Sequence, residues 1–146
     1  MRLLLVISSA GLLALAHASA QEAASDLKKF QGAWRLVRAE ADGKKTPDEE
    51  VKKIRLTIQG NRFVLRRDDK VLSEGTFSLD DATNPKAIDE TLTAGPRKGK
   101  TFLAIYEIDD VHHKICFAAA GKHRPKDLSA PAGSGRLLQL WKRADK

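Results

Sequence analysis

Cysteine is nearly absent from this sequence, with Cys116 the only one among 146 residues. A single cysteine forms no disulfide within a chain, so the stability of the fold has to come from a hydrophobic core. The sequence also lacks Cys-x-x-Cys and His-x-x-x-His spacings, and the adjacent His112 and His113 would point to opposite faces of a strand. These absences argue against a zinc site, and the sequence predicts neither a metal nor a cofactor.

Long apolar runs are missing from all but the amino-terminal segment. That segment carries one early positive charge, an apolar stretch over 3–16 and small residues over 18–20. The pattern is typical of a secretory signal peptide, and the apolar stretch is too short to span a bilayer comfortably. We expect cleavage near Ala20, leaving one domain over 21–146 that is secreted or periplasmic and has no transmembrane segment.

Acidic residues are outnumbered by basic ones. The 26 lysines and arginines against 19 aspartates and glutamates give a formal net charge of +7. For an exported protein this balance favours anionic partners such as lipids, acidic small molecules and envelope polymers, and it makes nucleic acid a poor expectation. We expect the domain to be monomeric.

Helical patterns are scarce, whereas short apolar or alternating runs recur between turn residues. Ser25 would cap one helical turn that ends at Gly32, and a capping box at 46–49, with Pro47 as the first helical residue, predicts a second brief helix. Eight strands are predicted, at 33–40, 54–58, 62–67, 70–79, 87–92, 101–108, 111–119 and 136–143. Their mostly short connections favour an all-β, eight-stranded antiparallel up-and-down barrel that carries these two short helices.

A glycine and a tryptophan stand at the start of the first predicted strand, in Gly32-Ala33-Trp34. The glycine lets the chain bend tightly into the strand, which places the tryptophan to plug one end of the barrel. A Gly-x-Trp sequence after a short helix resembles the first strand of lipocalin-like barrels, in which a basic residue near the last strand packs over the tryptophan. Here Arg143 or Lys142 would take that role.

Several short segments spread along the chain are, taken together, specific enough to compare with known protein families. They include Gln31-Gly32-Ala33-Trp34, Glu74-Gly75-Thr76-Phe77, Pro85-Lys86-Ala87-Ile88-Asp89, Lys98-Gly99-Lys100-Thr101-Phe102-Leu103, Cys116-Phe117-Ala118 and Gly133-Ser134-Gly135-Arg136. With these segments the sequence resembles, nearly end to end, a family of exported domains of unknown function from planctomycete bacteria, sometimes grouped with lipocalin-like proteins. The resemblance implies a fold and an exported location, and it brings no catalytic residues.

The lengths of the connections predict which end of the barrel is open. In an up-and-down barrel the odd-numbered connections share one end, and here they are about 41–53, 68–69, 93–100 and 120–135. Long loops on a rigid scaffold commonly carry binding sites, so the odd end should be the mouth. Six basic residues on two of these loops form the predicted ligand-binding site: Arg97, Lys98, Lys100, Lys122, His123 and Arg124. The alternative is that they form a solvated surface without a ligand.

A basic mouth above an apolar interior suits a lipid or another small amphipathic anion. The side chains predicted to point inward are bulky, so a filled core stays open as an alternative. They are Trp34, Leu36, Leu56, Phe63, Leu65, Phe77, Phe102, Tyr106, Ile115, Phe117, Leu138 and Leu140.

Two functions therefore remain. The first is a non-enzymatic binding module for a small apolar or amphipathic anionic ligand. The second is a protein-interaction module with a filled core, such as an exported inhibitor or an envelope scaffold that contacts a protein or a polymer. No serine–histidine–acid set and no nucleophile motif supports an enzyme.

Overall fold

The computed structural model describes residues 26–144, most of which belong to one antiparallel sheet. Residues 26–30 are helical (α1) and lead directly into the first strand. The further elements are β1 Gly32–Ala41, β2 Lys44–Lys45, α2 Asp48–Val51, β3 Ile54–Gln59, β4 Arg62–Arg67, β5 Lys70–Asp80, β6 Lys86–Leu92, β7 Thr101–Ile108, β8 His112–Phe117 and β9 Leu137–Arg143. No helix within 26–144 is long and apolar enough to cross a membrane.

Pairing between β1 and β9 closes the sheet into a barrel. From β3 to β9 each strand pairs with the next one along the chain, and β1 pairs with β3 on one side and with β9 on the other. The two-residue β2 adds only a short pairing to the end of β1. Eight strands thus form the barrel wall, which confirms the predicted architecture, and the predicted strand ends differ from the observed ones by at most two residues.

The helix between the first strands begins one residue later than predicted. Pro47 is its N-cap residue, with ψ at 143°, and no side chain caps the helix, so the predicted capping box at 46–49 is wrong. The acidic residues of its first turn, 48–50, complement the positive end of the helix dipole instead. The predicted signal peptide, 1–20, and Ser25, the predicted cap of α1, lie outside the described residues.

A buried acidic residue holds α1 against the end of the barrel. Asp26 is 2% exposed, and its Oδ2 accepts hydrogen bonds from the Tyr106 hydroxyl at 2.9 Å and from Lys86 Nζ at 2.8 Å. Because a buried carboxylate needs such partners, this arrangement fixes where the helix can lie. The helix then covers one end of the barrel interior with Phe30.

The last strand presents to the interior the face opposite to the one predicted. Gln139 and Trp141 face inward, so the prediction that Leu138 and Leu140 do so is wrong. The outer wall, meaning the outer face of β6, β7 and β8, is also covered. The connection of residues 118–136 packs over it and buries Ala87, Ile105 and Cys116. Apolar side chains are therefore needed on both faces, which removes the simple alternation.

Candidate functional site

The open end of the barrel leads into a cavity of about 340 Å³. This end is formed by the odd-numbered connections, and it lies opposite the end that holds Trp34. The cavity walls are largely apolar and include Leu56, Leu65, Phe77, Phe102, Phe117 and Leu137. The volume lies in the lower part of the range typical of small-molecule sites, so the interior is not filled at this end.

Five polar or charged side chains of the described chain line this cavity. They are Ser73, Glu90, Arg97, His113 and Gln139. Gln139 Oε1 already accepts a hydrogen bond from Trp141 Nε1 at 3.3 Å. A few polar groups on an apolar wall are the usual basis of ligand orientation and selectivity, and Glu90, Arg97 and His113 are the three that can carry charge.

Glu90 is the acidic residue of the cavity wall. Its cross-strand neighbours are Phe77 on β5 and Phe102 on β7, so its carboxyl group lies between two aromatic side chains. No hydrogen-bond donor within residues 26–144 reaches it, and its remaining exposure is to the cavity. Burial raises the pKa of Glu90 from 4.5 to about 8, because the charged form has lost its water. At neutral pH the carboxyl group is mostly protonated and can donate a hydrogen bond.

Arg97 stands at the mouth of the cavity, on the connection between β6 and β7. Its guanidinium carbon lies 5.3 Å from the centre of the Phe102 ring, which is a cation–π contact. No carboxylate of the described chain forms an ion pair with it. Arg97 therefore offers an unpaired positive charge at the point where a ligand would enter.

The other five predicted mouth residues do not line the cavity. Lys98, Lys100, Lys122 and His123 are exposed on their loops. Arg124 lies on the outer wall, where its Nη2 is 2.7 Å from the Asp89 carboxylate and its Nη1 donates to the carbonyls of Ile88 and Ala104. Arg124 thus holds the 118–136 connection against β6 and β7.

Sequence reasoning missed Glu90, because an acidic residue in a strand is ordinarily placed on the solvent side. A signal was present, since Glu90 alternates with Ile88 and Leu92 and so shares their inward face of β6. It was obscured by apolar Ala87 on the opposite face, which the 118–136 connection covers.

The floor of the cavity is aromatic and is centred on His113. The His113 ring lies 4.5 Å from Trp34, 5.1 Å from Phe30 and 6.0 Å from Trp141, measured between ring centres. Its Nδ1 is buried without a hydrogen-bond partner. Burial, with a smaller contribution from the positive charge of Arg143, lowers the pKa of His113 from 6.5 to about 3. The ring is therefore neutral at physiological pH, and no set of residues suited to hold a metal occurs within 26–144.

Beneath this floor, Arg143 closes the end of the barrel. Its guanidinium carbon is 4.2 Å from the centre of the Trp34 ring, and its N–H groups donate to the carbonyls of Lys29, Gln31 and Asp110 at 2.6, 2.8 and 3.0 Å. Gly32, with φ at +103°, makes the bend between α1 and β1. Of the two basic residues considered from the sequence, Arg143 is thus the one that lies over the tryptophan.

No protein-family model, no curated protein and no solved structure matches the chain. The cavity and the polar groups within it are therefore the basis for assigning a function.

Proposed function

We propose that the protein is a non-enzymatic binding module that takes a small amphipathic anion into its barrel, with the apolar part of the ligand in the cavity and the acidic head at Arg97. The observation that carries the proposal is an open, largely apolar cavity with an unpaired guanidinium at its mouth. The filled core on which the alternative of a protein-interaction module depended does not occur at this end of the barrel.

The apolar wall of the cavity would bind the tail of such a ligand, and Arg97 at the mouth would bind its acidic head. A hydrocarbon tail leaves water for the apolar wall, which contributes roughly 25 cal/mol for each Å² of apolar surface that is buried. A carboxylate head at the mouth keeps part of its hydration and gains charge-assisted hydrogen bonds from the guanidinium. We also propose, from the resemblance and the predicted signal peptide, that binding takes place outside the cytoplasm.

The test compares a charged and an uncharged probe of equal length, dodecanoate and dodecanol, by isothermal titration calorimetry. Arg97→Gln should weaken dodecanoate binding by about tenfold, or about 1.4 kcal/mol, and should leave dodecanol binding unchanged. Lys98→Gln is the matched control, because Lys98 carries the same charge on the adjacent residue but does not line the cavity. It should leave the binding of both probes unchanged.

Two results would contradict the proposal in different ways. Failure of the wild-type protein to bind either probe would overturn the binding module itself. Equal weakening of dodecanoate binding by Arg97→Gln and Lys98→Gln would show that only the general basic charge matters, and it would overturn the placement of the head at Arg97.

A further inference from the structure

The binding mode proposed above brings the tail of the ligand past Glu90. Arg97 packs on the ring of Phe102, and Phe102 is the direct cross-strand neighbour of Glu90. A head group held at Arg97 therefore places the first part of its tail against the β6–β7 wall. Phe77 flanks Glu90 on the other side, so the aromatic surface for the tail continues beyond the carboxyl group.

A plain hydrocarbon tail would remove the hydrogen bonds that the Glu90 carboxyl group can make with water. Without a ligand, the Glu90 carboxyl faces open space that water can enter. A tail that fills this space removes the water and offers no hydrogen bond in return, and leaving a buried polar group unsatisfied is costly. Sites built around such a group reject ligands that lack the matching polar atom.

We infer that the ligand carries a hydrogen-bonding oxygen within its tail, a hydroxyl or a carbonyl, which pairs with Glu90, so that the site selects oxygenated amphipathic anions over plain hydrocarbon ones. The inference rests on the proposed function and adds the chemical class of the ligand to it. An oxygen partner is the simplest match, since a protonated carboxyl group both donates and accepts hydrogen bonds.

The charged groups around the cavity favour this partner over a cationic one. The titratable side chains that line it in the described residues are Glu90, Arg97 and His113. β5 and β7 present only Phe77 and Phe102 beside Glu90, and His113 stays neutral in the floor. With no cation beside it, Glu90 stays protonated at neutral pH, whereas above about pH 8 it ionises, can no longer donate and repels an anionic ligand.

The experiment measures the affinities of dodecanoic acid and of a mid-chain hydroxydodecanoic acid by calorimetry, at about pH 6.5 and about pH 9. At the lower pH the wild-type protein should prefer the hydroxylated acid by about tenfold. At the higher pH both acids should bind more weakly, because the ionised Glu90 repels their head groups, while the hydroxylated acid stays preferred, because its hydroxyl can still donate to the carboxylate. Glu90→Gln keeps the hydrogen bonding without the ionisation, so it should keep the preference at both pH values. Glu90→Met has similar length and no hydrogen bonding, and it should remove the preference while still binding dodecanoic acid.

Each outcome decides a separate point. Equal wild-type affinities for the two acids would overturn the selection of an oxygenated ligand and leave the binding module intact. Absence of binding of both acids would overturn the proposed function itself. A preference for the hydroxylated acid that survives in Glu90→Met would assign the selection to another residue. Tighter binding of an aminododecanoic acid than of the hydroxylated acid would show that the partner of Glu90 is a cation. Either result would overturn the inference.

Discussion

Trp34 joins the helix, the barrel and the floor of the cavity through a single side chain. It is fully buried, its Nε1 donates to the Phe30 carbonyl at 2.8 Å, and its ring contacts Arg143 and His113. Tryptophan suits this position because it combines a large apolar surface with one hydrogen-bond donor. Any smaller side chain would leave a cavity and would also leave the Phe30 carbonyl without this donor.

Replacing Trp34 by alanine should lower the free energy of unfolding by about 3–5 kcal/mol, because a large buried aromatic is lost. Urea denaturation followed by circular dichroism measures the change. Val37→Ala on the same strand is the control, since Val37 is 39% exposed and its truncation should cost less than about 0.5 kcal/mol. A loss below about 1 kcal/mol for Trp34→Ala would show that the tryptophan does not plug the barrel.

At the scale of elements, the 118–136 connection acts as a second layer on the outer wall. Arg124 pairs with Asp89 and donates to two strand carbonyls, and Cys116 Sγ donates to the Ser129 carbonyl at 3.3 Å. Gly43, with φ at +80°, lies so close to the connection that an added Cβ would be 2.6 Å from the Ala132 nitrogen. The connection is thus packed at several points.

Arg124→Gln should loosen this layer and expose the thiol beneath it. Cys116 is fully buried and burial raises the pKa of its thiol, so the wild-type protein should react slowly with a thiol reagent such as Ellman's reagent. We expect labelling about tenfold faster in Arg124→Gln, as for a local opening that has become easier by about 1.4 kcal/mol. Lys122→Gln, an exposed residue of the same connection, is the control. Equal labelling rates in the wild type and both variants would argue against a fastening role for Arg124.

At the scale of the whole molecule, two interior groups make stability depend on pH in opposite directions. The pKa of His113 is lowered to about 3 in the folded barrel. Below pH 6.5 the unfolded chain therefore binds a proton at His113 that the folded barrel does not bind. The free energy of unfolding falls as the pH drops from 6.5 towards 3. The pKa of Glu90 is raised to about 8, so the unfolded chain releases a proton above 4.5 that the barrel retains. Stability therefore falls as the pH rises from 4.5 towards 8. The two slopes oppose each other between 4.5 and 6.5.

We therefore expect a stability plateau near pH 4.5–6.5 with a decline on each side, measurable as melting temperatures by scanning calorimetry. Glu90→Gln should abolish the alkaline decline and stabilise the barrel at pH 8 by about 2 kcal/mol, allowing for water that reaches the cavity. His113→Leu, of similar volume, should reduce the acid decline that begins below 4.5, to which the lowered pKa values of Glu50 and Asp109 also contribute. A wild-type melting temperature that is the same at pH 6 and pH 8.5 would contradict the state assigned to Glu90.

Local pattern was sufficient for most of the fold. Turn residues and short apolar runs placed the eight strands, and loop length placed the mouth, because both depend on neighbours along the chain. The site was harder to predict. Among the six basic residues chosen, only Arg97 lines the cavity, since charge alone does not reveal that Arg124 meets Asp89, 35 residues before it in the chain.

The sequence by itself determined the elements, their order and the closure of the barrel, because a meander of short strands has few other ways to pair all its edges. The tertiary structure alone decided which faces are buried. Residues 118–136 fold back over the outer face of β6, β7 and β8, and on β9 Leu138 and Leu140 lie outward whereas Gln139 and Trp141 lie inward. It also decided the state of Glu90, because the pKa of a carboxyl group rises where the surrounding strands take away much of its water and supply no hydrogen-bond partner.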